Sequence, residues 1–445
     1  MFFREIINEF RKWALSSERK PMVLRGARQV GKTTVVDMFA HEFDQYIKLN
    51  LEKQEDKALL ENPYPFQDLL TTLFLISGKA REDKRTLIFI DEIQNSAKAV
   101  ALLRYFYEEA PDLYVITAGS LLESILDRKI SFPVGRVEYR MLYPVSFKEF
   151  LIALGDNQSV QFLEMEVIPP FLHDHFSGLF KMYSTIGGMP EIVDNYIRNK
   201  DLIRLQVLYS GLLKSYSEDV EKYAPESIVA NHIRQIISIV FTEPCSRVTF
   251  ENFGNSGYRY RDMKEAFSIL EKALLISLVY PGTETELPSL PKLRMKPRLH
   301  LLDTGLVNFA SGMTSQLLLS NDITDVYRGK IAEHIVGQEL LTSTYSLTDK
   351  LRFWVREKKQ STAEVDFIFV YHGMLIPVEV KSGSIGKLRS LHQFMDGTLN
   401  RIAVRIWQGP FLIENARTVS GKEFTLLNLP FYMVHRMGLE ISKMV

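Results

Sequence analysis

One stretch near the N-terminus constrains the fold more than any other. Residues 22–34 read MVLRGARQVGKTT and contain the spacing G-x-x-x-x-G-K-[ST], with Gly26, Gly31, Lys32 and Thr33 in the fixed positions. The apolar run before the loop predicts a β-strand, and the run VVDMFAHEF after it predicts an α-helix. In that order the elements place backbone N–H groups around phosphate oxygens. A glycine-rich turn that binds nothing is the alternative, which the flanks and the next motif disfavour.

The loop therefore predicts a site for ATP and Mg²⁺. Lys32 would reach the β- and γ-phosphate oxygens, and the Thr33 hydroxyl would be a Mg²⁺ ligand. The expected nucleotide-binding residues are Gly26, Ala27, Arg28, Gln29, Val30, Gly31, Lys32, Thr33 and Thr34.

A second motif, LIFIDEIQ at 87–94, follows the first by about 60 residues. Its apolar run predicts a buried parallel strand. Asp91, at the carboxyl end, would bind Mg²⁺, and Glu92 would orient or deprotonate the attacking water. Adjacent acids after an apolar strand are weak evidence alone, but strong evidence after a phosphate-binding loop.

Three polar residues downstream are further candidates. Ser120 ends the apolar run LYVITAGS and would sense the γ-phosphate, although a helix cap explains it nearly as well. Arg136, in cis or from a neighbouring subunit, would stabilise charge in the transition state. A surface ion pair is the alternative for Arg136, and Arg140 is a weaker candidate than Arg136.

The bulk composition sets limits on partners and compartment. Lys+Arg and Asp+Glu are equal at 54 each, so contact with nucleic acid requires a local basic face. The single cysteine, Cys245, fits a reducing cytoplasm. The N-terminal MFFREIINEFRKW predicts an amphipathic helix that packs on a core, with membrane attachment as the lesser alternative. No apolar run approaches the ~20 residues of a membrane-spanning helix.

Several blocks resemble one known family. RGARQVGKTT, FIDEIQ, TAGSLLE, GRVEYRMLYPVSFKEF and GGMPEIV are similar to prokaryotic AAA-type P-loop ATPases of the AAA_14/DUF4143 kind, distant relatives of archaeal and replication-origin AAA+ ATPases. The resemblance implies an α/β multidomain protein with an AAA+ core, a helical lid, a winged helix-turn-helix and a nuclease-like end. Gly187-Gly188 would form a hinge between core and lid.

The middle of the chain predicts a winged helix-turn-helix from its order of helices and a strand. Arg259, Arg261 and Lys264 at the start of the third helix would meet DNA, with a protein-interaction surface as the alternative. In PKLRMKPRLH, four cations alternate with other residues, which on a strand places them on one face: Lys292, Arg294, Lys296 and Arg298.

The stretch AEVDFIFVYHGMLIPVEVK at 363–381 predicts two strands joined by a turn at His372-Gly373. Asp366 interrupts the first strand, and Glu379 and Lys381 share one face of the second. With Glu333 on a preceding helix, they resemble the PD-(D/E)xK nucleases, which implies a restriction-endonuclease-like α/β domain.

The acids would bind Mg²⁺, which would activate a water, and Lys381 would position that water. An ion pair of Lys381 with either acid, in a domain that only binds DNA, is the alternative. Glu339 rivals Glu333, Gln393 is a possible accessory group, and His372 and His392 lack a metal-ligand pattern.

The expected segments are an ATPase core with lid at 1–204, a winged helix at 205–300 and a nuclease-like domain at 301–445. Three functions remain open. The first is an ATP-driven, DNA-cleaving enzyme, the second a nucleotide-gated DNA-binding protein, and the third a regulatory or defence ATPase with a protein partner. A cytoplasmic location is expected from the single cysteine, and a homo-oligomer is expected from the family resemblance.

Overall fold

The computed structural model describes residues 2–81, 84–119, 133, 135–221, 224, 226–320, 323, 329–357, 363–381 and 388–445. The chain forms two compact units. The first contains residues 1–143, 272–274 and 345–348, and the second contains residues 144–271, 275–344 and 349–445.

The first unit is built on a fully parallel five-stranded sheet. Its strands are β1 (Met22–Arg25), β2 (Gln45–Asn50), β3 (Thr86–Asp91), β4 (Tyr114–Gly119) and β5 (Glu138–Met141), in the order β2-β3-β4-β1-β5. All four pairings are parallel. Strands β1 and β3 are buried throughout, as their apolar sequences predict. The carboxyl ends of β1, β3 and β4 therefore meet at one edge of the sheet.

Helices cover the sheet of the first unit. They are α1 (Ile6–Leu15), α2 (Lys32–Ala40), α3 (Gln54–Glu61), α4 (Phe66–Ile76) and α5 (Ala97–Glu109). The apolar faces of α3, α4 and α5 share one core with β2, β3 and β4. The predicted packing of α1 is confirmed, because Phe10 contacts Phe39 and Trp13 contacts Tyr114 edge to face. In the described part of the chain, no helix has the length and apolar character to cross a membrane.

The second unit begins with a helical region. Its helices are α6 (Phe147–Leu154), α7 (Asn157–Glu164), α8 (His173–Ile186), α9 (Pro190–Asn199), α10 (Leu202–Glu221), α11 (Ser227–Val240), α12 (Tyr260–Lys272), α13 (Thr304–Ser311) and α14 (Thr314–Leu319). An antiparallel pair, β6 (Ile276–Val279) and β7 (Arg298–Leu301), follows α12. Three helices and a two-stranded sheet thus follow one another in the order of the predicted winged helix.

The C-terminal part of the second unit contains a mixed sheet. Strands β10 (Phe367–Tyr371), β11 (Met374–Val380), β12 (Ile402–Trp407), β13 (Leu412–Arg417) and β14 (Glu423–Pro430) lie in the order β10-β11-β12-β14-β13. The three central strands are parallel and the two edges antiparallel. A short pair, β8 (Trp354–Val355) and β9 (Glu364–Val365), and helices α15 (Lys330–Thr342), α16 (Arg389–Gly397) and α17 (Met437–Ser442) complete the unit.

The glycine pair at 187–188 is packed too closely to serve as the expected hinge. Gly187 has φ +67°, and a Cβ there would meet the Asp303 carboxylate at 2.5 Å. Gly188 N–H donates to Asp303 Oδ2 at 2.5 Å, and its carbonyl accepts from Val145 N–H at 2.7 Å. Both residues are buried. The glycines permit a close backbone approach within the second unit, which sequence alone cannot distinguish from flexibility.

A buried polar network joins distant segments of this unit. Glu339 Oε1 accepts from Phe147 N–H at 3.0 Å and from the Tyr183 hydroxyl at 2.7 Å. Gln338 Nε2 donates to the same hydroxyl at 3.1 Å, and Gln338 Oε1 accepts from Thr304 N–H at 2.9 Å. Because buried polar groups are costly when unpaired, this network fixes the helices that meet there.

Candidate functional site

The loop between β1 and α2 has the backbone shape that a phosphate cradle needs. Gln29 and Gly31 have φ of 64° and 93°, in the left-handed region. Gly26 must lack a side chain because a Cβ there would lie 2.5 Å from the carbonyl oxygen of Leu142. Helix α2 begins at Lys32, so its N-terminal N–H groups lie at the loop.

Lys32 lies inside the loop that it is expected to serve. Its Nζ donates to the carbonyls of Gly26 at 2.9 Å and Ala27 at 2.8 Å, and the residue is buried. Burial lowers the pKa of Lys32 to about 8, and the nearby carboxylates of Glu92 and Asp91 oppose that shift. An anion in the loop would replace two neutral acceptors by charged ones, so the residues fit a phosphate group.

The two sequence motifs of the first unit meet directly. The Thr33 hydroxyl donates to Asp91 Oδ2 at 2.7 Å, and Glu92 N–H donates to Asp91 Oδ1 at 3.0 Å. Burial raises the pKa of Asp91, and the Thr33 hydrogen bond partly opposes it. A hydroxyl and a carboxylate side by side are hard oxygen ligands of the kind that Mg²⁺ prefers.

Glu92 follows β3 in a strained backbone conformation. Its φ is 53° and its ψ is 44°, which is uncommon for a residue with a side chain. A single turn of 3₁₀-helix, Ile93–Asn95, comes next, and the Gln94 side-chain amide donates to Glu92 Oε2. Sequence reasoning missed Gln94, and its place in the motif IDEIQ was the available signal.

The remaining residues of the loop are expected to contribute backbone N–H groups, and no role is assigned to their side chains. Arg28 lies 3.9 Å from Glu52 at the surface, while Ala27 and Val30 are buried. Thr34 lies within α2. Ser120, the expected γ-phosphate sensor, lies outside the described residues.

Arg136 lies at the opposite edge of the sheet from the phosphate loop. It precedes β5, which is parallel to β1 and in register with it from Met22↔Glu138 to Arg25↔Met141. A strand of this length spans about 13 Å, so Arg136 does not reach the loop of its own chain. Its Nε lies 2.5 Å from Glu108 Oε1 in an exposed ion pair. Arg140 forms a looser pair, 3.5 Å from Glu138.

The C-terminal hairpin has the predicted form. Strands β10 and β11 pair with Tyr371 opposite Met374, and His372 and Gly373 turn the chain with φ of 43° and 81°. Asp366 lies one residue before β10, and its Oδ2 accepts from Val380 N–H at 2.8 Å. The hairpin therefore brings Asp366 to the strand that carries Glu379.

Glu379 and Lys381 lie on the same face of the sheet, as predicted. Lys381 Nζ is 2.9 Å from Glu379 Oε1. Glu379 is 3% exposed, and its Oε2 has no hydrogen-bond partner among the described residues. Burial and the neighbouring charge of Asp366 raise the pKa of Glu379 to about 8.

Glu333 lies near the same acids and Glu339 does not. Burial raises the pKa of Glu333, and the charge of Asp366 adds to that shift. Glu339 instead belongs to the network with Phe147 and Tyr183. Helix α15 is buried on nearly all sides and not along a single stripe.

Arg298 is the cation that sequence reasoning misplaced. It lies on β7 and is 5% exposed, and its guanidinium contacts Glu333 Oε1 and Glu364 Oε1. It also donates to the Asp366 carbonyl at 2.8 Å. The Arg298 guanidinium carbon lies 4.4 Å from the centre of the Phe353 ring. Arg298 therefore pairs with two acids, offsets one unit of their combined negative charge and does not face solvent. The four carboxylates of this acidic cluster are those of Glu333, Glu364, Asp366 and Glu379.

The other three cations of that run are also not aligned on a strand. The segment before Arg298 contains a turn, in which Met295 N–H donates to the Lys292 carbonyl at 2.9 Å. Pro297 lacks an N–H group and so cannot extend the strand ladder there. Lys292 lies 2.5 Å from Glu284, while Arg294 and Lys296 are exposed. The expected single cationic face is therefore wrong.

The predicted basic start of the third helix is exposed. Arg259, Arg261 and Lys264 are exposed, and none forms an ion pair with a described residue. Lys264 Nζ lies 5.8 Å from the ring centre of Tyr260, which is 50% exposed.

Gln393 on α16 accepts from Arg356 Nη1 at 3.0 Å, and His392 packs against Phe424.

No preformed metal site is evident within the described ranges. No three His, Cys, Asp or Glu side chains there are arranged to hold an ion. The charge of Asp366 raises the pKa of both Glu333 and Glu379, whereas the charges of Arg298 and Lys381 act to lower the pKa of Asp366.

Comparison with protein families identifies three segments. Residues 18–151 match the family described as an AAA domain. Residues 177–317 match one domain of unknown function (DUF8612), and residues 328–432 match another (DUF4143). No curated protein matches the chain.

Three solved structures illustrate what the chain is similar to. The Walker-type ATPase PABY2304 of Pyrococcus abyssi is 17% identical, with a TM-score of 0.45, over 70% of this chain and 96% of that chain. The Aeropyrum pernix ORC1 protein in complex with DNA is 14% identical, with a TM-score of 0.30, over 72% and 95%. A variant of Thermotoga maritima RuvB is 16% identical, with a TM-score of 0.29, over 62% and 90%.

The family match and the observed geometry agree in the first unit. The parallel sheet places the loop after β1 beside the acids after β3, and the family match covers both motifs. Residues 18–151 form an AAA-type P-loop ATPase domain.

Proposed function

We propose that the protein hydrolyses ATP with Mg²⁺ and acts on DNA in the cytoplasm, as an AAA+ protein with a nuclease-like C-terminal domain. The observation that carries the proposal is the 2.7 Å hydrogen bond between Thr33 and Asp91, because it joins the phosphate loop to the acidic strand end. We assign the ATPase core and lid to 1–204, the winged helix to 205–300 and the nuclease-like domain to 301–445.

In the ATP site each residue has a separate task. Loop N–H groups and Lys32 bind the phosphates, and Lys32 leaves the carbonyls of Gly26 and Ala27 to do so. Thr33 and Asp91 would hold Mg²⁺, which would offset phosphate charge. Glu92 takes the proton of the attacking water.

DNA binding is assigned to the start of α12. Arg259, Arg261 and Lys264 present three exposed charges within six residues at the start of α12, and Tyr260 lies among them. A helix that begins with unpaired cations suits phosphate contacts, and its first residues are those that reach base edges in helix-turn-helix proteins. The proposal does not require a basic protein overall.

Phosphodiester cleavage is assigned to Asp366, Glu379 and Lys381. The buried Oε2 of Glu379, which has no hydrogen-bond partner among the described residues, suits a metal ligand, since a buried acceptor is costly when unpaired. Asp366 and Glu379 would hold Mg²⁺, and Lys381 would position the attacking water. Because Glu333 and Glu364 are already paired with Arg298, Asp366 and Glu379 are the acids that would ligate the metal.

One experiment tests both halves of the proposal. ATP hydrolysis and nicking of plasmid and branched DNA are measured with Mg²⁺ or Mn²⁺ for wild type, Lys32→Ala and Asp366→Ala. Lys32→Ala should lose hydrolysis, and Asp366→Ala should lose nicking but retain hydrolysis. Nicking that survives Asp366→Ala would show that this site does not cleave.

A second function is favoured by one observation. The Arg298 ion pairs satisfy two acids without any metal, as in a domain that uses its charges for structure. The protein would then be a nucleotide-gated DNA- or protein-binding ATPase, of a regulatory or defence type. ATP-dependent DNA binding without nicking under any metal would favour this function.

A further inference from the structure

Gln94 lies two residues after Glu92, the proposed catalytic base. The proposed function gives Gln94 itself no role. Its Nε2 donates to Glu92 Oε2. Its Oε1 is buried and has no hydrogen-bond partner within the described part of the chain. A buried amide oxygen without a partner costs free energy, so the position requires an explanation.

The orientation of the Gln94 amide follows from chemistry. An ionised carboxylate only accepts hydrogen bonds, so the amide nitrogen must face Glu92 and the amide oxygen must face away. The oxygen points at Gly119, the last residue of β4. A Cβ built on Gly119 would overlap Gln94 Oε1, whereas the next nearest atoms, Gln94 Cδ and Ile93 Cγ2, lie at an ordinary 3.5 Å.

The frame around Gln94 is rigid. Ile93 is fully buried in the core of the first unit. Asn95 N–H donates to the Glu92 carbonyl at 3.0 Å, and Ser96 caps helix α5 by accepting from Ala99 N–H at 3.2 Å. The turn that carries Gln94 is therefore fixed on both sides, and its side chain is aimed by the backbone.

We propose that Gln94 is a positioning residue for Glu92: its amide holds Oε2, so that Oε1 takes the proton of the attacking water, and Gly119 lacks a side chain because the amide occupies that space. The inference rests on the proposed role of Glu92 as the base. It adds a residue to the hydrolytic machinery that acts through Glu92 and does not touch ATP.

Steady-state ATP hydrolysis of the full chain tests this for Gln94→Ala and Gln94→Glu. Gln94→Ala should lower kcat about tenfold, because a misaligned base loses much of its advantage. Gln94→Glu keeps the size but cannot donate, so it should lose as much. KM and the affinity for a fluorescent ATP analogue should stay within about twofold of wild type, since the phosphate loop is untouched.

A double-mutant cycle separates positioning from packing. Gly119→Ala should lower kcat in the wild-type background because the new methyl group displaces the Gln94 amide. In the Gln94→Ala background the same change should have no further effect, since the space is empty. An equal loss from Gly119→Ala in both backgrounds would overturn the inference.

Two further outcomes complete the test. Wild-type kcat in Gln94→Glu would also overturn the inference, and that variant serves if Gly119→Ala does not fold. Glu92→Gln is the control for the proposed function: hydrolysis that this change leaves intact would refute the role of Glu92 itself. Loss in Glu92→Gln together with wild-type rates in both Gln94 variants would refute only the role of Gln94.

Discussion

The Arg298 guanidinium contacts the Glu333 carboxylate inside the C-terminal part of the second unit, and both residues are largely shielded from water. Arg298 reaches Glu333 from β7, a strand distant in sequence from helix α15. The pair changes the charge balance of the acidic cluster, because Glu333 has a permanent counter-ion. Among the described residues, the cation paired with Glu379 is Lys381, which also lies near Asp366.

This charge balance predicts how the acids differ in metal binding. Glu379→Gln and Asp366→Asn should each weaken Mn²⁺ binding by more than about tenfold, because each removes a ligand. Glu333→Gln should change it by less than about threefold, since Arg298 holds that side chain away from the metal. Mn²⁺ titration followed by electron paramagnetic resonance measures the three affinities, and equal losses in all three variants would place Glu333 among the ligands.

The raised pKa of Glu379 predicts a pH-dependent stability difference. Glutamate has an ordinary value near 4.5, and the folded-state pKa of Glu379 is about 8, so the folded chain binds the extra proton between these values. Stability then falls as pH rises through this window. Between pH 5 and pH 8.5 the unfolding free energy of wild type should fall by about 1–3 kcal/mol more than that of Glu379→Gln. Denaturant titrations of both proteins in EDTA measure this difference.

Glu423→Gln is the matched control on the same sheet. The Arg417 hydrogen bond lowers the pKa of Glu423, so its contribution is already complete above the ordinary value of 4.5. The difference in unfolding free energy between Glu423→Gln and wild type should therefore stay constant between pH 5 and pH 8.5. A constant difference for Glu379→Gln as well would contradict the buried, charge-crowded environment assigned to Glu379.

Features of the fold could be predicted from the sequence where they depend on residues that are close together in the chain. The β10–β11 hairpin and its turn at His372-Gly373 were predictable because alternation and turn chemistry act over a few residues. The phosphate loop was predictable for the same reason, and the packing of α1 followed from its apolar spacing. Each of these features involves neighbours in the sequence.

Long-range partners could not be predicted in this way. Arg298 alternates with other cations in the sequence, and only the fold shows that β7 delivers it to Glu333. The Gly187-Gly188 pair suggested flexibility, but Asp303 from a distant segment packs against it. Gln94 needed the position of Gly119 on another strand to become interpretable.

The exposed start of α12 predicts a specific loss of DNA binding. Changing Arg259, Arg261 and Lys264 to Ala together should weaken binding and reduce the slope of log affinity against log salt by about two to three, since each phosphate contact contributes nearly one unit. Fluorescence anisotropy at several salt concentrations measures the slope. Lys214→Ala, at an exposed position of α10, is the control, and an unchanged slope in the triple variant would exclude this helix.

The position of Arg136 predicts that it acts, if at all, across subunits. Arg136→Ala should lower ATP hydrolysis about 10³-fold if it stabilises transition-state charge in a neighbouring site. Mixing Arg136→Ala with Lys32→Ala chains should restore part of the activity, because mixed assemblies contain one intact site. Arg104→Ala, which removes the other partner of Glu108, is the control. Full activity of Arg136→Ala would exclude a catalytic role for Arg136.

The central claim is that Gly26 to Thr33 bind the triphosphate of ATP beside Asp91 and Glu92. Isothermal titration of Mg²⁺ and ATP into the folded full chain tests it most directly, with Lys32→Ala as the variant and the exposed Lys53→Ala as its control. We expect one ATP per chain for wild type and Lys53→Ala, and an affinity at least about tenfold weaker for Lys32→Ala. No ATP uptake by folded wild type, or equal affinity in Lys32→Ala, would contradict the claim.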